Sequence, residues 1–142
     1  DFYALPSDFP GYEDAKKLSD KYDKVKCIEA AFKNDINDSR FIPYIQLHEF
    51  EALIFSNSDE LLLEYNDKQN EVYQLKQILN HFKNPELIND ARETSPSHRI
   101  INLIPEYQKA NSGSLITGLI GMKNLKQACR HFREWVDIVE KI

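Results

Sequence analysis

Three groups of side chains in this sequence could do chemistry. Asp1 stands directly before an apolar, strand-like stretch, and Asp8 sits in a loop bounded by Pro6 and Pro10. Carboxylates at strand ends suit a hard, oxygen-seeking ion such as Mg²⁺. The same two residues also fit a solvated carboxylate and an Asx-type turn. The second group is His48-Glu-Phe-Glu51. His48 and Glu51 are three apart and share a helix face, with Phe50, Leu53 and Ile54 as the buried stripe beside them. A zinc protease of the His-Glu-x-x-His type needs a histidine at position 52, where Ala52 stands, so that class is excluded. A helix start with acids at its positive end fits the stretch as well. The third group is basic: His98, Arg99 and Lys109, followed by Lys123, Lys126, Arg130, His131 and Arg133. Arg99 lies just inside a capped helix, a place to meet phosphate. Of the later group, which reads as a charged outer helix face, Lys123, Lys126, Arg130 and Arg133 step by three or four.

Positioning these groups falls to a mainly helical α/β framework. Residues 2–5 read as the end of a buried strand, and Pro6-Ser-Asp-Phe-Pro-Gly11 as a loop, because prolines and glycine stop regular structure. Helical patterns follow at 13–22 and 24–35, the second with Val25, Ile28, Ala31 and Phe32 on one face. Residues 41–47, rich in β-branched and aromatic types, form the best strand, with Pro43 marking an edge or a strand start. A small sheet of 2–5 beside 41–47, flanked by helices, is expected. A short helix should run from His48 to Phe55, and another should start at Ser58. Residues 69–82 form a helix with Val72, Leu75 and Leu79 inward. Asn84-Pro85 and Ser95-Pro96 each place a capping side chain before a proline at the first helical position. The last long helix spans 122–141, with Leu125, Cys129, Phe132, Val136 and Val139 as its apolar stripe and Trp135 packed beside it. The Gly113, Gly118 and Gly121 region lacks the Gly-Lys-Ser/Thr ending of a phosphate loop and reads as a helix with small residues for close packing. No serine or cysteine has a nucleophile–base neighbourhood.

Length and charge narrow the classes further. The 142 residues suit one domain, 1–142. Eighteen Lys and Arg against 23 Asp and Glu give a formal charge of −5. That excludes adhesion to DNA through a broad basic face, and it leaves room for an enzyme that meets nucleic acid through metal ions and a small basic patch. Cys27 and Cys129 sit in helix-like apolar patterns and are expected to be buried free thiols. No apolar run approaches membrane-spanning length and no signal peptide is present, so no membrane partner and a cytoplasmic location are expected. The first residue is not Met and opens an apolar, strand-like piece, which reads as a cut inside a longer sequence.

Several stretches also carry a resemblance. Asp1-Phe-Tyr-Ala-Leu-Pro-Ser-Asp-Phe-Pro-Gly11, Arg40-Phe-Ile-Pro-Tyr-Ile-Gln-Leu-His-Glu-Phe-Glu-Ala-Leu-Ile-Phe55, Ile88-Asn89, Pro96-Ser-His-Arg99, Tyr107-Gln-Lys109 and Cys129-Arg-His-Phe-Arg-Glu-Trp135 resemble the bacterial domain of unknown function 4276 family, in the family's order. The family often has proline where Arg130 stands and a shorter basic residue at His98. Its members usually begin with a further strand and a Val-Glu-Gly-x-Thr-Glu type turn, so the chain is expected to be the C-terminal portion of a longer protein. That layout is similar to Toprim-type nucleases and topoisomerase domains, in which a glutamate after the first strand and an aspartate pair after a later one hold Mg²⁺ (or Mn²⁺).

The resemblance thus implies a Toprim-like fold and Mg²⁺-dependent phosphodiester hydrolysis in a bacterial defence-type system, with the fragment inactive alone. Asp1 would be the later-strand aspartate. Tyr3 stands where the second acid of that pair would fall, so Asp8, Glu49 and Glu51 are expected to complete the metal ligands, with His48 orienting a carboxylate or water. Arg99 and Lys109 would neutralise the scissile phosphate of a nucleic acid substrate. The alternative is a non-catalytic interaction module that docks an ABC-type ATPase, a partner the resemblance also implies. A homo-oligomer is compatible with both.

Overall fold

A computed structural model of the chain describes residues 2–89 and 91–142, the side chains of Tyr3 and Arg92 apart. Six α-helices carry it: α1 (Tyr12–Lys16), α2 (Lys21–Ile36), α3 (Gln69–Leu79), α4 (Pro96–Leu103), α5 (Lys109–Ala128) and α6 (Arg130–Val139). Short 3₁₀ turns join them, at Phe2–Ala4, Phe50–Ser56, Ser58–Leu63, Pro85–Leu87 and Arg92–Thr94.

Among the described residues there is no strand, which overturns the expected α/β class and its Toprim-like sheet. Residues 2–4 form a 3₁₀ turn, and 41–46 are irregular. One backbone bond joins the two segments, from the Phe2 amide to the Gln46 carbonyl at 2.9 Å. Other backbone groups of the second segment turn to side chains. The Ile45 amide donates to Glu29 Oε1 at 2.7 Å, and Trp135 Nε1 donates to the Ile42 carbonyl at 3.4 Å. Pro43 has no amide to offer. The β-prone composition of 41–47 therefore reflects packing on a helical surface rather than membership of a ladder.

Helix α2 starts where its chemistry says it should. Asp20 caps it, its Oδ1 accepting the amides of Tyr22 and Asp23 at 2.8 and 3.0 Å. The expected helix over 13–22 is thereby split: α1 closes at Lys16, and 17–20 are left to lead into the cap. The expected single helix over 122–141 is also two pieces. Gly121 interrupts α5 with φ 76° and ψ 154°, a backbone state open to glycine. Cys129, extended at φ −110° and ψ 104°, then separates α5 from α6.

Two buried clusters result. The larger joins Leu53, Ile54 and Phe55 to Leu75, Ile100, Ile116, Ile120 and Cys129. The smaller packs Ala15, Tyr22, Val25 and Ile28 against Ile45 and Leu47. Cys129 is buried as expected, whereas Cys27 is half-buried; both are free thiols. Trp135 is also half-buried, tilted against Tyr44 with ring centroids 5.1 Å apart.

Candidate functional site

Residues 47–51 pass between the two clusters. Leu47 and His48 are buried on the α2 side, where His48 lines a small cavity with Lys21, Lys24 and Val25. The chain then turns. Glu49 is extended, at φ −127° and ψ 154°, and the 3₁₀ turn Phe50–Ser56 follows with Glu51 in its first turn. Both carboxylates thereby face Lys109, the first residue of α5. Its Nζ lies 3.7 Å from Glu49 Oε1 and 3.9 Å from Glu51 Oε1.

The two acids sit in different electrostatic settings. Glu49 Oε2 accepts the Ser97 amide at 2.9 Å, in the first turn of α4. Burial alone would raise its pKa, but that amide, the Ser97 hydroxyl, Lys109 and Ser95 together hold it below the usual glutamate value. Glu51 is pushed the other way. Burial is the main cause and the neighbouring Glu49 charge adds to it, against the opposing pull of its own amide and Lys109. One carboxylate is thus fixed as an anion, while its neighbour holds a proton more readily. Environments of that kind separate a stabilising anion from a proton-transfer group.

A phenol completes the arrangement. Tyr107, just before α5, is 5 % exposed, and its hydroxyl has no hydrogen-bond partner among the described residues. Burial chiefly, then Glu51, Tyr65, Glu64 and Glu49, keep it protonated far above the ordinary tyrosine range. It is therefore an O–H donor among carboxylates. Gly113 makes room for it, since a Cβ there would lie 2.9 Å from the Tyr107 oxygen. On the far side, Ser112 Oγ donates to Glu64 Oε1 at 2.9 Å and bonds the Tyr65 hydroxyl at 2.7 Å.

The other expected site residues are placed elsewhere. Asp1 lies outside the described residues. Asp8 is exposed in the 6–10 turn. Arg99 Nε donates to the Thr94 carbonyl, and its guanidinium lies 5.6 Å from the centre of the Phe82 ring, in a cleft with Gln74, Gln77 and Asn102. Among the described residues no three His, Cys, Asp or Glu side chains gather closely enough to hold a metal ion. What the fold brings together is Glu49, Glu51 and Lys109, with Tyr107 beside them.

Two polar groups inside the fold escaped sequence reasoning. Glu86 has no exposure and accepts from the Tyr22 hydroxyl and the amides of His131 and Phe132. His131, read from sequence as part of a solvated face, is 3 % exposed, and its Nε2 is 2.8 Å from Glu29 Oε1. Its place between Cys129 and Phe132, both apolar-face residues, was the available signal.

The family described as Domain of unknown function (DUF4276) has a profile that matches residues 1–140. No curated protein and no solved structure matches the chain. No helix among the described residues is long and apolar enough to cross a membrane.

Proposed function

The chain belongs to the DUF4276 family, and from that premise we propose that the Glu49–Glu51–Lys109 cluster is part of the reaction centre of a divalent-metal-dependent phosphodiester hydrolase. One observation carries this reading: two carboxylates from a single turn face one ammonium while their proton affinities are driven apart. Carboxylates set apart by burial and a shared charge partner mark a site suited to proton transfer.

The donor set fits Mg²⁺ or Mn²⁺. Both side chains offer hard oxygens, and Mg²⁺ is usually held by one or two carboxylates, with water and substrate phosphate completing its shell. Glu49 and Glu51 would hold it, and the bound ion would supply charge neutralisation at the phosphoryl oxygens. The chain's own residues divide the remaining work. Glu49, fixed by the Ser97 amide, stays ionised and orients the cluster. Glu51 takes the proton of the attacking water and returns it to the leaving oxygen as the P–O ester bond breaks. Lys109, half exposed at the start of α5, offsets the phosphate charge. The Tyr107 hydroxyl donates to a phosphoryl oxygen, the partner it otherwise lacks.

The test has two readouts. Mn²⁺ binding, followed by thermal shift and by Mn²⁺ electron paramagnetic resonance, should weaken in Glu49→Gln and Glu51→Gln. Mg²⁺- or Mn²⁺-dependent cleavage of labelled DNA and RNA oligonucleotides should disappear in Glu51→Gln and drop about 10²–10³-fold in Lys109→Ala, the scale of losing one charge-stabilising donor. Unchanged metal binding in both glutamine variants would remove the proposal.

A second reading has one observation in its favour. Leu115 and Leu119 on α5, and Met122 just past its Gly121 break, are exposed apolar side chains, at 54, 46 and 50 % exposure. On this reading they dock a partner such as the ABC-type ATPase implied by the family resemblance, in a cytoplasmic defence system. Retention of partner binding by Glu51→Gln and its loss in Leu119→Asp would support it.

A further inference from the structure

Cations gather in two clefts that share a wall. The smaller, of about 70 Å³, is lined by Lys21, Lys24 and His48, the residue next to Glu49. The larger, of about 530 Å³, is lined by Lys21 again, with His81, Lys83, Arg130 and Asp20. Lys21 thus stands between them. Four Lys and Arg side chains face one described carboxylate, in a chain whose acids outnumber its bases 23 to 18. That carboxylate is already engaged, since Asp20 Oδ1 takes two amides at the start of α2.

Most of these cations have donors to spare. The ammonium groups of Lys24 and Lys83 make no ion pair or hydrogen bond among the described residues. Lys21 gives one of its three donors to the Asn89 carbonyl at 2.9 Å. Arg130 is braced by Glu134 at 2.9 Å, and its guanidinium lies 5.0 Å from the centre of the Tyr22 ring. Cations with donors to spare along a cleft attract a ligand that carries several negative charges, as a phosphodiester chain does.

We propose that the cleft running from His48 past Lys24 and Lys21 to Lys83 and Arg130 binds a single nucleic acid strand through its phosphates. The strand track presupposes the phosphodiester chemistry proposed above and names the substrate that reaches it. Lys24 and Lys83 are its positioning contacts, and comparison with a duplex separates binding of one strand from binding of two.

Binding of a fluorescent single-stranded oligonucleotide to the protein is measured by anisotropy in EDTA, across a salt series. Each phosphate contact contributes roughly 0.7 to the slope of log affinity against log salt, about five-fold in affinity at 0.1 M salt. Lys24→Ser with Lys83→Ser should therefore lower the slope by about 1.4 and weaken binding on the order of 25-fold. Circular dichroism melts confirm folding, and Lys123→Ser, which lines neither cleft, should bind as the parent does. No oligonucleotide binding by the parent, an unchanged slope in the double variant, tighter binding of duplex than of single strand, or equal competition by inorganic phosphate or polyglutamate would each overturn the strand track. With metal excluded, failure to cleave leaves the result intact, and Glu51→Gln that binds strand without cleaving it separates the two proposals.

Discussion

Glu86→Ala should be the most damaging single change to stability outside the apolar core. The carboxylate is fully buried, and three donors meet on it. The His131 amide reaches Oε2 at 2.9 Å and the Phe132 amide reaches Oε1 at 2.9 Å, while the Tyr22 hydroxyl lies 3.2 Å from Oε2. The two amides belong to the first turn of α6, whose own N-cap residue, Cys129, supplies no side-chain bond. Glu86 therefore caps a helix 45 residues away. Truncation removes a cap worth ~1 kcal/mol and leaves buried donors unmade at ~1–3 kcal/mol each. Water admitted into the void recovers part of this, so the expected loss is ~3–5 kcal/mol. At ~2–4 °C per kcal/mol for a chain of this size, the melting temperature should fall by roughly 10 °C. Glu86→Gln keeps the shape but sets an amide NH₂ against a backbone N–H, and should cost ~1–3 kcal/mol. Urea titration followed by circular dichroism gives both values. A loss under ~1 kcal/mol in Glu86→Ala would show that α6 does not depend on this carboxylate.

The two site acids should respond to pH in opposite directions. Glu49, with its folded pKa lowered, adds stability above the unfolded glutamate value that is lost as pH falls through the folded one. Glu51, with its folded pKa raised, adds stability at acid pH that is lost as pH rises through the folded value. Urea melts from pH 4 to 8 should thus find Glu49→Gln destabilising at neutral pH and Glu51→Gln neutral or stabilising there; the reverse order would contradict the assigned environments. Gly113→Ala should cost ~1–3 kcal/mol, because its Cβ would meet the Tyr107 oxygen at 2.9 Å. Gly118→Ala, with nothing within 4 Å and helical backbone, should gain ~0.5–1 kcal/mol in the same melts. Burial pushes the Cys129 thiol up to about 12, so native-state labelling by a thiol reagent at pH 8 should modify half-buried Cys27 first.

What was legible in the sequence was what depends on neighbours along the chain. The periodicity of 24–35 and 69–82 marked α2 and α3, and Pro96 after Ser95 marked the start of α4. Glu49 and Glu51 were readable as a pair because they stand two apart at the start of one short turn, Glu49 just before Phe50–Ser56 and Glu51 in its first turn. The sheet was misread because residues 41–47 have the composition of a strand, and composition reports a half-buried environment without saying what lies across it. Glu29 and Trp135 lie across it here, and they satisfy backbone groups that a second strand would otherwise take.

The same distinction explains which parts of the site were missed. Lys109 was expected at the site through the resemblance, whereas Tyr107 was given no role; both stand almost 60 residues beyond the acids they meet, and no spacing rule connects them. Their meeting depends on Gly113, whose missing Cβ lets the Tyr107 hydroxyl sit against α5. It depends also on the Ser97 amide, which draws Glu49 onto the start of α4. The amide at the start of α4 and the burial of Glu51 therefore give two identical side chains opposite protonation preferences. That asymmetry is a property of the folded chain, and it is what turns an ordinary acidic helix start into a candidate reaction centre.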